Sequence, residues 1–159
     1  MTALFQRERT GQGQFVDVAM LDTVIPTLST VMGAYYFGDK TAPPRNGSKH
    51  PALSMAPYNV YLARDGYVAI ICTNEKHWLS MAGAMNREDL FQDPRYGSMR
   101  ERAAIMSEVD AEVTAWTSVR TRAEVLAALQ GAGVPSASVR DVEEVLADEH
   151  LHERGMLHE

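Results

Sequence analysis

The sequence is poor in the residues that a disulfide framework, a nucleic-acid surface or a membrane span requires. Cys72 is the one cysteine among 159 residues, so an internal disulfide and a multi-cysteine metal site are both excluded. The formal net charge is −6 and no basic run occurs, which excludes a broad surface for nucleic acid. No apolar run approaches the roughly 20 residues that cross a bilayer. The first segment turns polar at Gln6, too early for a signal peptide, and we expect a cytoplasmic protein.

What remains is the composition of an ordinary folded protein. Apolar residues make up 45% of the chain and charged residues 23%, which is typical of globular domains. A chain of 159 residues can bury most of its apolar surface in a core. The length therefore suits one domain, or one domain with a part of another.

The first part of the chain has the periodicity of a helix. An apolar alternation at Phe15–Val18 predicts a short strand, and a helix of about 18 residues follows it. A segment rich in proline, glycine, serine and lysine, residues 38–56, then predicts a linker. The apolar positions that recur at helical spacing are Met20, Leu21, Val24, Ile25, Leu28, Val31 and Met32.

The middle and last parts indicate strands and helices in alternation. Two runs rich in β-branched and aromatic residues, 58–62 and 67–72, surround Asp65-Gly66 and predict a β-hairpin. Residues 136–139 predict a later strand. Ile105, with Val109, Val113 and Trp116, predicts a long amphipathic helix.

Three helix starts carry capping residues. Asn74 is an acceptable N-cap, and Thr121 with Glu124 forms the pattern of a capping box. Asp141 with Glu144 repeats that pattern. We therefore expect an α+β fold, in which a small antiparallel sheet, made of the hairpin 58–72 and a later strand, is flanked by helices.

Motif chemistry alone gives no complete active site. The segment TGQGQ has Gly11 and Gly13 but not the third glycine of a dinucleotide fingerprint, and we interpret it as a turn. Ser48 and His50 lie close in sequence, but the nucleophile elbow of a serine hydrolase is absent. We predict no metal site. A non-catalytic dimerisation or binding module therefore remains an alternative to an enzyme.

Segments along the whole chain resemble class III coenzyme A transferases, also called the CaiB/BaiF family. The stretch Ala3–Asp22 carries the family pattern Arg-x-Gly-x-Gly-Gln-x-Val-Asp-Val-x-Met-x-Asp. The stretch Arg45–Gly66 carries Arg-x-Gly-x-x-His-Pro, then Pro-Tyr-x-x-Tyr, then Asp-Gly. Further matches follow in family order at Asn74 with Trp78, Asp93–Tyr96 with Arg102, Ala132–Pro135 and Asp148–Leu151.

The resemblance implies a fragment of a two-domain enzyme. Residues 1–37 would end a large Rossmann-like domain with a turn, a short strand and a helix. Residues 38–56 would be a linker and cleft loop, and residues 57–159 a small α+β domain. Family subunits interlock as homodimers. The family nucleophile is an aspartate, which we expect upstream of Met1, so the chain would hold no catalytic residue and be inactive alone.

The resemblance also implies a reaction and a set of substrate-binding residues. Coenzyme A would move between an acyl-CoA thioester and a carboxylic acid through an aspartyl-CoA thioester, with coenzyme A as substrate and no cofactor on this chain. A fragment of an α-methylacyl-CoA racemase is the alternative enzyme. Partners would be acyl-CoA, carboxylic acids and a second subunit, with neither nucleic acid nor membrane. The expected substrate-binding residues are Arg45, Gly47, His50, Met20 and Asn74; a plain linker and an N-cap are the alternatives for the loop and for Asn74.

Overall fold

The computed structural model describes residues 1–38, 40 and 45–157. The chain divides into two compact units, Met1–Pro43 and Pro44–Glu159. The predicted linker 38–56 falls partly on residues 39 and 41–44, which lie outside the described residues. Among the described residues, no helix combines the length and the apolar character that a bilayer crossing requires.

The first unit is helical. Its helices are α1 (Thr2–Thr10), α2 (Met20–Val24) and α3 (Ser29–Phe37), with a 3₁₀ turn at Ile25–Leu28. The continuous helix predicted from Met20 is therefore interrupted. Pro26 is the second residue of the 3₁₀ turn and explains the interruption, because proline lacks an amide hydrogen and its ring clashes with the preceding helical turn.

The segment between α1 and α2 forms no strand within the described residues of this unit. The alternation at Phe15–Val18 has a strand's side-chain period, but a strand also needs a backbone partner. None of the described side chains from Met1 to Gly38 is buried, and Phe15 is 92% and Met20 87% exposed. Apolar side chains that are exposed together usually mark a surface covered by another part of an assembly.

The second unit contains a three-stranded antiparallel sheet. Its strands are β1 (Tyr58–Ala63), β2 (Gly66–Ile71) and β3 (Ser136–Val139), in the order β1-β2-β3. The hairpin register pairs Tyr58 with Ile71. Gly66 has φ +145, a conformation that L side chains rarely adopt, which explains the Asp-Gly pair at this turn. The α+β prediction is confirmed.

Helices surround one face of this sheet. The predicted caps are present, since Asn74, Thr121 and Asp141 each accept a hydrogen bond from a backbone amide of the first helical turn. The predicted long helix begins at Met106, because Ile105 leaves the helical conformation, with φ −113 and ψ 30. The helices are α4 (Glu75–Ala84), α5 (Asp89–Gln92), α6 (Met99–Ala104), α7 (Met106–Thr117), α8 (Arg122–Gly131), α9 (Val142–Leu146) and α10 (Glu149–Glu153), with a 3₁₀ turn at Pro94–Tyr96.

The core lies between the sheet and helices α4, α7 and α8. Alternate strand residues point into it, since successive side chains of a strand face opposite sides. Each fully buried apolar side chain stabilises the fold by about 1.5–3 kcal/mol. The buried set includes Tyr61, Val68, Ile70, Cys72, Trp78, Met81, Val109, Val113, Val125 and Leu129.

Arg102 is the one charged residue that is fully buried among the described residues. Its Nε donates to the Ala56 carbonyl at 3.1 Å, and Nη1 donates to the Tyr96 carbonyl at 2.8 Å. Its Nη2 lies 2.8 Å from Glu75 Oε2 in an ion pair. The guanidinium carbon lies 5.0 Å from the centre of the Trp78 ring, within cation–π range.

Replacing Arg102 tests its contribution to stability. Arg102→Met should lower the free energy of unfolding by about 3 kcal/mol, because two buried carbonyls lose charged donors. Trp78 and Trp116, the only two tryptophans, lie in the second unit, so their fluorescence in urea reports on that unit. The matched control is Arg95→Met, at a side chain that is 58% exposed, and should cost less than about 1 kcal/mol. Equal losses in the two variants would contradict this role.

Candidate functional site

Residues 45–54 form an ordered loop immediately before the sheet. The Lys49 amide donates to the Asn46 carbonyl at 3.2 Å, and the Leu53 amide donates to the His50 carbonyl at 2.9 Å. These two bonds close consecutive tight turns. Gly47 has φ +60, which glycine adopts without steric cost, so the family-pattern glycine has a conformational role in the first turn.

The Asn46 side chain holds these turns together. Its Nδ2 donates to the Lys49 carbonyl at 3.3 Å and to the His50 carbonyl at 3.2 Å. The carbonyls of an irregular loop have no sheet or helix partner, and the Asn46 amide supplies one to the Lys49 carbonyl and a second donor to the His50 carbonyl. Asn46 therefore fixes the backbone on both sides of the peptide that joins Lys49 to His50.

The His50 ring is oriented by donors from its own loop. Its Nδ1 accepts from the amides of Ala52 at 3.2 Å and Ser54 at 3.4 Å, and the Ser54 hydroxyl lies 3.3 Å away. The Tyr58 ring packs edge-on against the imidazole, with ring centres 5.0 Å apart. Because Nδ1 accepts, the neutral ring carries its proton on Nε2.

The remaining His50 nitrogen is a donor in a defined direction. No hydrogen bond among residues 45–157 uses Nε2, and we expect this N–H to be available to a ligand. Burial lowers the pKa of His50 below its ordinary value of 6.5. The ring is therefore neutral at pH 7 and donates from Nε2 without carrying a charge.

A polar cluster anchors the loop to the sheet and to α7. Asp110, on α7, accepts from the Tyr61 hydroxyl at 2.7 Å and from Asn59 Nδ2 at 3.1 Å, and pairs with Lys49 Nζ at 3.2 Å. The Ser48 hydroxyl donates to Asn59 Oδ1 at 2.5 Å. We call these five residues the anchor cluster.

Arg45 lies at the first described position of this loop. Its side chain is exposed, and within residues 45–157 no carboxylate pairs with it. An arginine guanidinium can bind a carboxylate through two parallel hydrogen bonds. Three of the predicted substrate-binding residues, Arg45, Gly47 and His50, thus lie in this one loop, and their substrate contacts stay predictions.

The other two predicted residues lie elsewhere. Asn74 follows β2 and uses its side chain as the N-cap of α4, where Oδ1 accepts from the His77 amide at 2.9 Å. Met20 is the first residue of α2 and belongs to the other unit. The structure therefore gives Asn74 a structural function, while the substrate contacts assigned to Asn74 and Met20 stay predictions.

The sequence reasoning missed the anchor cluster. Asp110 comes directly after Val109 in the apolar stripe of α7, and an acidic residue at the border of a buried face is a weak signal for a partly buried carboxylate. Asn59 and Tyr61 fall within a strand, where sequence alone does not show which helix covers them. Across residues 1–38, 40 and 45–157, no group of three metal-binding side chains converges.

Comparison with known proteins identifies the family. The family model for CoA-transferase family III matches residues 1–159, and the chain belongs to this family. It is 31% identical to a CaiB/BaiF family protein from Brucella suis whose crystal structure is known. That match has a TM-score of 0.78 and covers 98% of this chain and 40% of the Brucella chain.

Two curated relatives have named substrates. A succinyl-CoA:mesaconate CoA-transferase from Haloarcula marismortui is 35% identical over 100% of this chain and 39% of its own length. The beta subunit of a succinyl-CoA–L-malate CoA-transferase from Chloroflexus aurantiacus is 34% identical over 97% of this chain and 38% of its own length. The chain thus spans about two fifths of each relative.

The titration of His50 gives a test of the loop geometry. Its folded pKa lies below the unfolded value of 6.5, so between these values the unfolded chain binds the proton and the folded chain does not. Its stabilising contribution is complete above about pH 6.5 and is lost as the pH falls. When the pH falls from about 7.5 to about 5.5, the free energy of unfolding measured in urea should therefore fall less in His50→Gln than in the unchanged chain. Identical losses would contradict the burial of the His50 ring in the folded chain.

Proposed function

We propose that this chain is part of an acyl-CoA transferase and that its loop 45–54 binds the carboxylate of a substrate acid. The observation that carries the proposal is the geometry of this loop within a CoA-transferase family III chain. Exposed Arg45 supplies a positive charge, and His50 supplies a neutral N–H whose direction is fixed. Together they form a carboxylate-binding pair that needs no metal.

The substrates proposed for the protein are a succinyl-CoA donor and a small dicarboxylic acceptor. The names of two relatives, which pair succinyl-CoA with mesaconate or L-malate, support this choice. A dicarboxylic acid has one carboxylate that reacts and a second that remains charged throughout. Arg45 and His50 suit the second carboxylate, because binding a group that does not react orients the group that does.

The proposed chemistry proceeds through an aspartate outside residues 1–159. Its carboxylate attacks the thioester carbonyl, which gives a mixed anhydride and the CoA thiolate. The thiolate attacks the enzyme's acyl carbon and releases the donor acid, which leaves an aspartyl-CoA thioester. The acceptor acid then repeats both steps in reverse order and leaves as the new acyl-CoA. Covalent catalysis thereby divides one difficult exchange into easier steps.

The alternatives have less support. The two curated relatives described above are named CoA-transferases, which favours a transferase over an α-methylacyl-CoA racemase. A pure dimerisation module would not need a histidine held with its Nε2 proton available. We also propose that the protein is a homodimer and that this chain alone is inactive. The exposed apolar side chains of the first unit support an assembly larger than this chain.

Substitutions in the loop test the proposal in the protein that carries this chain. Arg45→Ala and His50→Gln should each raise the KM for mesaconate or L-malate about tenfold or more, since each removes a hydrogen bond to a charged group. Unfolding free energy should change by less than about 0.5 kcal/mol in Arg45→Ala. The measurement is initial rates with succinyl-CoA and each acid, read by chromatography of the acyl-CoA products.

Arg100→Ala is the matched control, because Arg100 is an exposed arginine of the same unit outside the loop. It should leave KM unchanged. An unchanged KM in both loop variants would remove the loop from substrate binding, and an absence of CoA transfer to any acid would contradict the transferase. Mass spectrometry after incubation with succinyl-CoA should find no modified carboxylate within residues 1–159, and a modified one there would contradict the external nucleophile.

A further inference from the structure

We propose that Asp110 is a positioning residue, which fixes loop 45–54 and thereby sets the direction of the His50 Nε2–H. It touches no substrate group of its own. Its position in the anchor cluster connects the sheet, α7 and the two residues that immediately precede His50. The substrate that meets His50 depends on the proposed function, whereas the positioning itself does not.

Donors from its surroundings hold the Asp110 carboxylate. The Asp110 side chain is only 14% exposed, so its charge requires donors to replace water. Tyr61 supplies one to Oδ1, while Asn59 and Lys49 supply two to Oδ2. Burial raises the pKa of Tyr61, with the nearby Asp110 charge as the next cause, so its hydroxyl remains a donor at every physiological pH. The carboxylate is thus fixed to β1.

Asn59 connects Asp110 to Ser48 of the loop. A carboxylate only accepts hydrogen bonds, so Asp110 requires the Nδ2 side of the Asn59 amide. This leaves Asn59 Oδ1 to accept from the Ser48 hydroxyl at 2.5 Å and from the Val60 amide at 2.9 Å. Asp110, together with the Val60 amide, therefore selects the amide orientation in which Asn59 binds the loop. Without the negative charge, the charge-assisted bond from Asn59 Nδ2 is lost, and with it part of the preference for the orientation in which Oδ1 accepts from Ser48.

The fixed positions of Ser48 and Lys49 determine the position of His50. Ser48 is held through Asn59 and Lys49 directly by Asp110, so both residues that precede His50 are fixed. The groups against the imidazole itself are the Tyr58 ring, the Ala52 and Ser54 amides and the Ser54 hydroxyl. The charged residues of the loop are Arg45 and Lys49, and Lys49 pairs with Asp110. Loss of the hydrogen bonds and the ion pair of the anchor cluster would let the imidazole ring leave these contacts and become solvated.

The pKa of His50 distinguishes positioning from simple electrostatics. In Asp110→Asn, loop release solvates the imidazole and should raise its pKa toward 6.5. Loss of an anion acting directly through space would instead lower the pKa, because the histidinium would lose a favourable charge. The two explanations predict opposite signs. Titration of the histidine ring signals by NMR in the 159-residue chain measures the difference.

Two further variants make the result decisive. Ser48→Ala removes one anchor without changing charge and should also raise the His50 pKa, by less than Asp110→Asn does. Glu108→Gln removes a carboxylate from the same helix, where it pairs with Arg95 at 2.8 Å, and should leave the pKa unchanged. An unchanged or lower pKa in both anchor variants overturns the proposal, as does an equal rise in Glu108→Gln.

Kinetics separates this proposal from the proposed function. In the protein that carries this chain, Asp110→Asn should raise the KM for the dicarboxylic acceptor about tenfold, as much as His50→Gln does. The double variant should show little further increase in KM. A raised His50 pKa with an unchanged KM supports positioning and contradicts the carboxylate-binding role of His50. A raised KM with an unchanged His50 pKa overturns positioning.

Discussion

The buried guanidinium of Arg102 joins parts of the second unit that are distant in sequence. It reaches the carbonyl just before β1, the carbonyl at the end of the 3₁₀ turn and the first residue of α4. A fully buried charge is unfavourable unless it is paired and hydrogen-bonded, so these segments must keep their positions around the guanidinium. Trp78 covers the guanidinium on one side and stacks on Tyr96 with ring centres 5.8 Å apart. The place where loop 45–54 meets the sheet is therefore fixed by the core.

The anchor cluster gives the same loop a second attachment, immediately before His50. Arg102 holds the backbone at Ala56, while Asp110 holds Lys49 directly and Ser48 through Asn59. Between these attachments, His50 has its Nδ1 occupied and its Nε2 available. A flexible linker would lose conformational entropy on binding each substrate, whereas a loop ordered in advance loses less. Under the proposed function, this preorganisation would lower the entropic cost of binding a carboxylate.

The sequence predicted the parts of this arrangement that depend on local chemistry. The Asp-Gly hairpin and the capping residues Thr121 and Asp141 follow from backbone conformation and hydrogen bonding within a few residues, and the structure confirms them. The interruption at Pro26 was not predicted, although the missing amide hydrogen of proline is a local signal for it. The helix start at Met106 was not predicted either, because the apolar spacing continues through Ile105.

The long-range polar contacts could not be predicted in the same way. Arg102 was matched to a family pattern, but nothing in its neighbourhood indicates that it is fully buried, because its partners lie up to 46 residues away. Asp110 and Asn59 are 51 residues apart, and their contact depends on how α7 crosses the sheet. Arg45, Gly47 and His50 came from the family pattern, whereas the physical reason for the His50 orientation required coordinates.

Backbone amide exchange measured by NMR in the 159-residue chain tests most directly whether loop 45–54 is fixed before any ligand binds. The amides of Lys49, Ala52 and Leu53 donate to Asn46, His50 Nδ1 and the His50 carbonyl, although all three lie outside helices and strands. If the loop is fixed, these three amides exchange with solvent more slowly than in an unfolded chain, by about tenfold or more. Exchange of all three at the rate of an unfolded chain would contradict a fixed loop.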